Sequence, residues 1–545
     1  MASRLPKGYV AREDGWLAKI VLNKEGEVKQ KQICKPMPVI TEVKQDSKTD
    51  KVSYTVSFVR KGKTVSVPVS GKDLFDGRNI YNVLSEYGLE MVSSNGKDLV
   101  EYFSKYMEAN DVVEKKLYTR IGYSDSQNEL NFIHPVLIEE GAVIEAKSAG
   151  YKDWLDLIEV KGTLAEWNEK VFDKVKDYDD MVFGIAVACL SPFVKIAGTE
   201  NFILDYAGKT SIGKSQAQRV MMSVIGKPYH RPWYMSNDFF TKINAFMNGF
   251  PVILDDTKKL KPTFNMETAV YTFCDGRTDG KGTIDAIQAS EEFRGVIISS
   301  GEFPIEELAN AGGVGARIIE IMNGDMWGGK VKGDVLDACE ECYGVVMLEI
   351  AKLIGEMNKN PKAIKIFKDK SKEYSKEYEA KCGGLEILQR MARTYGTLKA
   401  GCELLSAVGI IPLDGKVIDR KYEQLKDEGT NLDKTTAELV RIIEYLQSNR
   451  ATVWSDDYIG REGFAPSKVN AIVTKGKIYL TINFINQMLA EQKQIIRNDA
   501  LNRGYFEAFY RKDKKTDYKN IQYEGKTFKV IQLTDKFIQE YDIQL

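Results

Sequence analysis

Eight residues, Gly208-Lys209-Thr210-Ser211-Ile212-Gly213-Lys214-Ser215, constrain this chain more than any other stretch. Ahead of them Asn201 to Tyr206 is a short apolar run of strand length, and behind them Ala217, Val220, Met221 and Val224 recur at helical spacing until Gly226 and Pro228 stop the pattern. A strand that feeds a glycine loop and then a helix is built to cradle phosphates. The glycines let main-chain amides close around the oxygens, and the helix N-terminus adds its positive dipole end. Gly208, Thr210, Ser211, Ile212 and Gly213 are expected to line the phosphates, Lys214 to reach the β and γ phosphates, and Ser215 to hold Mg²⁺ through its hydroxyl. ATP and Mg²⁺ are therefore the expected cofactors. The competing account is a glycine-rich turn with no ligand.

An ATPase also needs a carboxylate on a neighbouring strand to order the magnesium and activate water. Pro251-Val-Ile-Leu-Asp-Asp256 supplies one, after an amphipathic helical run that contains Phe240, Ile243 and Met247. Asp255 is the metal carboxylate by position, and Asp256 stands where a glutamate usually serves as the base. Aspartate is one methylene shorter, so its reach to a water is the open question. Gly295-Val-Ile-Ile-Ser-Ser-Gly-Glu302 reads as a further strand with polar residues at its carboxyl edge, where α/β sheets place ligands. Ser300 or Glu302 is the expected γ-phosphate sensor, against a plain strand end. Arg317 follows a glycine turn and precedes another apolar run. In ring ATPases an arginine so placed enters the neighbour's site, with Arg294 the second choice and a surface ion pair the rival account.

The remaining chain surrounds this core. Length 545 argues for several domains, and 77 basic against 78 acidic residues leave any nucleic-acid surface to local clustering. Residues 1–165 alternate apolar and polar around Val52 to Phe58 and Val65 to Val69, with helical stretches near Gly77 to Tyr87 and Asp98 to Ala109, so an α+β domain is expected. Pro68 cannot donate to a ladder, which puts its strand at a sheet edge. Residues 166–325 carry the α/β core, a parallel sheet flanked by helices, and 326–445 are helical. Within the latter, Leu336, Cys339, Tyr343, Val346, Ile350 and Leu353 follow one helical pattern, so Cys339 and Cys342 are read as core packing rather than zinc ligands. The lysine-laden stretch from Lys359 to Lys381 reads as a solvated helix face. Seven scattered cysteines, no export-type h-region at the N-terminus and no apolar run long enough for a bilayer suggest a cytoplasmic protein that avoids membranes.

Residues 446–545 change texture: a strand from Tyr479, a helix from Phe484 to Leu489, another from Gln492 to Arg503, and a hairpin from Tyr518 to Leu533 turning at Glu524-Gly525. That is the order of a winged helix. Between Arg503 and Lys529, eight Lys or Arg face four Asp or Glu, and Lys512, Lys514 and Lys515 are the expected phosphate contacts. Protein docking is the other use of such a module. Asp275-Gly-Arg277-Thr-Asp-Gly-Lys281, together with the short run to Ile287, reads as a second hairpin or as a merely solvated loop.

The P-loop with Gly226, Ile253 to Asp256, Val270 to Gly276, Ile298 to Glu302, Gly315-Ala-Arg317 and Arg390-Met-Ala-Arg393 together resemble a known family. It comprises the P-loop ATPases of phages, plasmids and genomic islands, near the MCM-like AAA+ helicases. The likeness runs to the self-loading replication initiator helicases of staphylococcal pathogenicity islands and cassette chromosome elements. The resemblance implies a bacterial cytoplasmic homo-oligomer, a hexameric ring that hydrolyses ATP between subunits and unwinds DNA, single- and double-stranded, during replication of a mobile element. It also implies that Arg393, or Arg390, is the sensor-2 arginine of a helical lid, and that Lys281, then Arg277, projects into the ring's channel to track phosphates. An ATP-switched initiator or loader that binds DNA without unwinding it is the alternative, kept open by Asp256. A small-molecule P-loop kinase would need neither the tail nor the hairpin.

Overall fold

The computed structural model describes residues 4–124, 130–208, 212–278, 281–283, 286–288, 290–309, 317–383, 386–431, 434–456, 468–490, 493–511, 514–541 and 543. The chain divides into two compact units, Met1–Tyr422 and Glu423–Leu545. Among the described residues no helix is long and apolar enough to cross a membrane.

The first unit opens with one antiparallel and one mixed sheet. One runs Tyr9–Ala11, Leu17–Leu22, Val28–Lys35, Glu90–Met91, and the other Ala142–Ile144, Val113–Tyr118, Val39–Asp46, Val52–Arg60, Lys63–Ser70. Pro68 lies in the last strand of that order, opposite Thr55, so its missing amide faces away from the ladder. Helices Gly77–Glu86 and Gly96–Ala109 add Ile80, Leu84, Leu99 and Phe103 to the apolar core beneath the strands.

The central sheet is wholly parallel, in the order Arg231–Pro232, Val252–Asp255, Val296–Ser300, Phe202–Ala207, Ile318–Met322. A parallel sheet is covered on both faces, which is why Phe202–Ala207 is buried at every position and is apolar except at Asp205. Helix Asp179–Leu190 is buried from Met181 onward, apolar all round because the sheet and its neighbours enclose it. Two acids interrupt the apolar writing. Asp205 and Glu320 pair across adjacent strands and turn to the same short helix, Ile305–Ala309, where Asp205 accepts from the Ile305 amide (2.9 Å) and Glu320 from the Glu306 amide (3.1 Å). Burial pushes the Asp205 carboxyl up to about 6. Burial and the neighbouring Asp205 push Glu320 up to about 8.

The 336–353 pattern, read as one helix, is two: Gly333–Glu341 and Val345–Lys359. Tertiary contacts break it. Tyr343 exchanges hydrogen bonds with Lys161, and Gly344 donates to the Ser223 carbonyl at 2.7 Å with φ +73. A Cβ there would fall 2.1 Å from the Glu159 oxygen, so only glycine fits the break. Cys339 and Cys342 are buried free thiols, and among the described residues no cluster of potential metal ligands is found.

The second unit carries the sheet Val453–Ser455, Ala471–Thr474, Lys477–Thr481, Lys526–Gln532, Lys519–Tyr523. Helices Ile482–Leu489 and Lys493–Asn502 pack Phe484, Ile485, Ile496 and Ala500 into its core. The expected hairpin turns at Glu524 (φ 45) and Gly525 (φ 74), the paired positive angles of a type I′ turn.

Two outcomes test this packing. Gly344→Ala should cost about 2 kcal/mol or more and lower the thermal unfolding midpoint. Gly355→Ala, inside helix Val345–Lys359 with nothing within 4 Å of its added methyl, should raise it by up to about 1 kcal/mol. The second outcome concerns pH. Between the ordinary glutamate value of 4.5 and about 8, folded Glu320 keeps a proton that the unfolded chain releases, so its burial weakens the fold progressively as pH rises through that window. Glu320→Gln should therefore unfold at a higher temperature than the parent at pH 8.5 and at nearly the same temperature at pH 5. An identical gap at both pH values would contradict a buried neutral carboxyl.

Candidate nucleotide and magnesium site

The site lies at the carboxyl edge of the parallel sheet, where strand Phe202–Ala207 runs through Gly208 toward helix Lys214–Ile225. Thr210 and Ser211 lie outside the described residues. Gly213 takes φ +85 immediately ahead of the helix. A Cβ on it would fall 2.8 Å from both the Trp327 ring and the Val331 side chain, and the Trp327 Nε1 donates to the Gly213 carbonyl at 3.0 Å. The loop is thus clamped from behind by the segment after the last core strand. Ile212 is half-buried beside it.

Lys214 reaches back across the loop, its Nζ donating to the Gly208 carbonyl at 2.8 Å. Burial lowers its pKa, while the carboxylates of Glu302, Asp205, Asp255 and Asp256 act in the opposite sense. Those four acids surround the ammonium with negative charge, but burial is the larger effect. Ser215, one residue on, donates its hydroxyl to Asp255 Oδ1 at 2.7 Å.

Asp255 is the convergence point. It ends strand Val252–Asp255 and is 5% exposed. Besides Ser215, its Oδ1 accepts from the Ser300 hydroxyl at 2.9 Å, and His230 Nε2 lies 3.3 Å from Oδ2. Burial opposes ionisation, but hydrogen bonds from His230, Ser215 and Ser300 outweigh it and hold the carboxyl well below its ordinary range. A serine hydroxyl beside an ionised carboxylate is the hard oxygen donor pair that suits magnesium. Ser215 and Asp255 therefore fit the ion by their chemistry.

Asp256 is placed differently. Its backbone is left-handed (φ 62), its amide donates to Ser300 Oγ at 3.3 Å, and its carboxylate accepts from the Lys258 amide at 3.2 Å, with Lys259 Nζ at 3.3 Å. It caps its own turn beside Asp255. Glu302, the other sensor candidate, forms an ion pair with Lys258. Ser300 is the one that joins the Asp255 cluster.

The arginines sit elsewhere. In the register of the core sheet Ile318 stands opposite Ile203, so Arg317 is level with the start of the P-loop strand, at the edge away from the loop. Its guanidinium lies over the Tyr271 ring, 4.9 Å from the centroid. Arg393, on helix Glu386–Ala407, donates to the Gly198 carbonyl at 3.2 Å, ahead of the same strand start, and Arg390 is exposed. Arg294 donates to the Phe293 carbonyl at 3.1 Å. Neither Arg317 nor Arg393 is brought to the Lys214 cluster of its own chain.

The hairpin read beyond Asp275 is present, with Lys281–Thr283 antiparallel to Ala286–Gln288 and Lys281 opposite Gln288. Arg277 pairs with Glu292 across its base at 2.6 Å. In the second unit Lys514–Thr516 pairs with Phe509–Arg511, bringing Lys514 opposite Arg511 and Lys515 opposite Tyr510. Lys512 and the side chains of Lys281, Lys514 and Lys515 lie outside the described residues. Sequence reasoning missed His230 and Trp327. His230 is one of two histidines in the chain, but only the fold carries it from the loop after Gly226 to Asp255.

No curated protein matches the chain. The solved structure described as "SCCmec type IV Cch - active helicase" is similar over 98% of this chain and 98% of its own, with a TM-score of 0.64 at 16% identity, so the two share a fold. The A form apo structure of the NrS-1 C-terminal region covers 90% of this chain and 96% of its own, at 11% identity and a TM-score of 0.30. A family model described as a domain of unknown function (DUF927) matches residues 9–288, just over half the length and inclusive of the P-loop, the Asp255 strand and the 281–288 hairpin. The chain belongs to the DUF927 family.

Proposed function

We propose that this protein is an ATP-driven DNA helicase of a mobile genetic element, working in replication as a hexameric AAA+ ring with ATP hydrolysed between subunits. One observation carries the reading: Ser215, Asp255 and Ser300, from three separate elements, meet in one hydrogen-bonded cluster beside the Lys214 ammonium. That cluster has the donors a magnesium–triphosphate needs, and a triphosphate is the group whose charge justifies them. Gly208, Thr210, Ser211, Ile212 and Gly213 would hold the phosphates through the loop, Lys214 would contact the β and γ oxygens, and Ser215 with Asp255 would bind the ion. A magnesium ion there would neutralise phosphate charge as it develops. Ser300 would report on the γ-phosphate through Asp255.

The places of Arg317 and Arg393 support the ring. Each lies at the sheet edge away from its own loop, so either could stabilise transition-state charge only in a neighbouring subunit's site. Residues 326–445 would then serve as lid, residues 446–545 as a winged-helix DNA-binding domain using Lys512, Lys514 and Lys515, and Lys281 with Arg277 would track single-stranded phosphates. The likeness in fold to a protein described as an active helicase agrees with unwinding. A second reading, an ATP-switched initiator or loader without unwinding, is favoured by one detail: the Asp256 carboxylate is occupied with Lys258 and Lys259 rather than presented as a base.

Strand displacement on a forked duplex separates the two. The parent should release strand with ATP, and Lys214→Ala should lower both release and hydrolysis by ~10²-fold or more. DNA binding with ATP-dependent assembly but no released strand would select the loader, and hydrolysis untouched in Lys214→Ala would remove the motor altogether. Arg317→Ala should lower hydrolysis by ~10³-fold with nucleotide affinity little changed. Mixing it with Lys214→Ala should restore activity, because roughly a quarter of randomly formed interfaces combine an intact loop with an intact arginine. Mixed rings that regain nothing would rule out Arg317 acting across the interface.

A further inference from the structure

Away from the P-loop, the first unit holds a cavity of about 790 Å³ between residues 46–51, 119–120 and 147–151 on one side and the helices Asn237–Met247 and Met266–Asp275 on the other. Thr278 and Glu291, from the two arms at the base of the 281–288 hairpin, complete its wall. The size falls within the ~300–1,000 Å³ of small-molecule sites.

Its charge is unbalanced. Five wall residues are lysine or arginine and three are acidic. The acids are already engaged: Glu291 with Lys48 at 2.9 Å, Asp238 with Lys242 at 2.6 Å, and Asp46 with the amides of Lys48 and Thr49, both at 2.9 Å. Lys51 and Lys147 are exposed at the cavity; the Lys147 charge acts on Asp46 from beyond ion-pair distance, and the Lys51 side chain has no ion pair or hydrogen bond among the described residues. Arg120 stands in the same wall, its pKa lowered to about 10 by burial against the pull of Glu291. A concave surface with surplus cations at its wall favours an anion, because low-dielectric walls concentrate the field.

The remaining wall specifies more than an anion. Six threonines and one serine line it, supplying hydroxyls for phosphate or sugar oxygens. Tyr151 offers a ring, backed by Phe246 in a stacked pair with centroids 5.0 Å apart and planes at 28°. That backing holds the tyrosine in place and leaves an aromatic surface on which a planar base can stack. Cations, hydroxyls and an aromatic ring around one cavity match the three parts of a nucleotide.

We propose that this cavity is a second ligand site, taking a phosphorylated nucleoside, free or as one unit of a single strand, with Lys51 and Lys147 on the phosphate and Tyr151 against the base. The site is independent of the P-loop, whose grip needs a β-phosphate. Contact with the hairpin base gives its occupant a route to the segment that carries Lys281, since Thr278 and Glu291 belong to both.

The test uses the full chain and two probes: a fluorescent mononucleotide (mant-AMP), which lacks the β and γ phosphates, and a fluorescein-labelled oligodeoxythymidylate. Affinities are compared in the parent, Lys51→Gln/Lys147→Gln, Tyr151→Leu, and the charge-matched pair Lys362→Gln/Lys365→Gln on a remote exposed helix. Thermal unfolding midpoints equal to the parent's verify folding. Both cavity variants should bind one probe ~10-fold more weakly while the remote pair stays within twofold. If the mononucleotide weakens, the occupant is a free nucleotide. If only the oligonucleotide weakens, it is a strand, and the log–log salt slope should shrink by about 1.4, ~0.7 for each lysine. Binding of either probe that is insensitive to both cavity variants, or absent in the parent, overturns the proposal. Loss of ATP hydrolysis in Lys214→Ala answers the separate question of the motor, so each idea fails on its own measurement.

Discussion

A single carboxylate ties the core together. Asp255 is almost wholly buried, yet it is held ionised by donors from the P-loop helix, the adjacent strand and the loop after that helix. A buried charge is tolerated only when its hydrogen-bonding capacity is filled, so the three elements must be in register for the site to exist. The strand order places them. Val296–Ser300 lies between Val252–Asp255 and Phe202–Ala207, which lets the Ser300 hydroxyl and the Ser215 hydroxyl of the P-loop helix donate to the same Asp255 oxygen. The polar cluster is therefore a consequence of sheet topology and also a lock on it.

The same sheet carries polar groups of the opposite character. Asp205 and Glu320, one strand apart, are driven toward the neutral form by burial and anchor the start of helix Ile305–Ala309. One end of the strand system thus holds an anion whose charge its donors favour, while its middle holds acids whose charge burial disfavours. The difference lies in what each carboxyl meets: hydroxyls and a histidine favour the charge at Asp255, whereas the fewer favourable partners of Asp205 and Glu320, a backbone amide each among them, cannot offset desolvation.

Cations are segregated in a related way. Lys214 stays at the loop, while Arg317 and Arg393 lie level with the far end of the same strand. Neither arginine reaches the Lys214 cluster of its own chain. The cavity beside Tyr151 adds a further concentration of positive charge, carried mostly on turns and loops that face helices Asn237–Met247 and Met266–Asp275.

Much of this was legible in the residues. The strand–loop–helix around Gly208 to Ser215, the apolar run ending at Asp255, the edge strand with Pro68, the hairpin at 281–288 and the Glu524-Gly525 turn all follow from local rules of periodicity, turn chemistry and missing donors. Such rules act within about ten residues, so one chain segment suffices to write them. Other features needed contacts between distant segments. The break at Gly344 exists because Lys161 and Ser223 claim the backbone there, overriding a helical pattern that continues on both sides. His230 reaches Asp255, and Trp327 clamps Gly213, across 25 and 114 residues of sequence. By itself the sequence determined most of the local elements and the glycine-rich turn that leads into helix Lys214–Ile225. Only the tertiary structure decided which side chains share Asp255 and which end of the sheet holds each cation, because long-range packing, not local propensity, sets strand order and register.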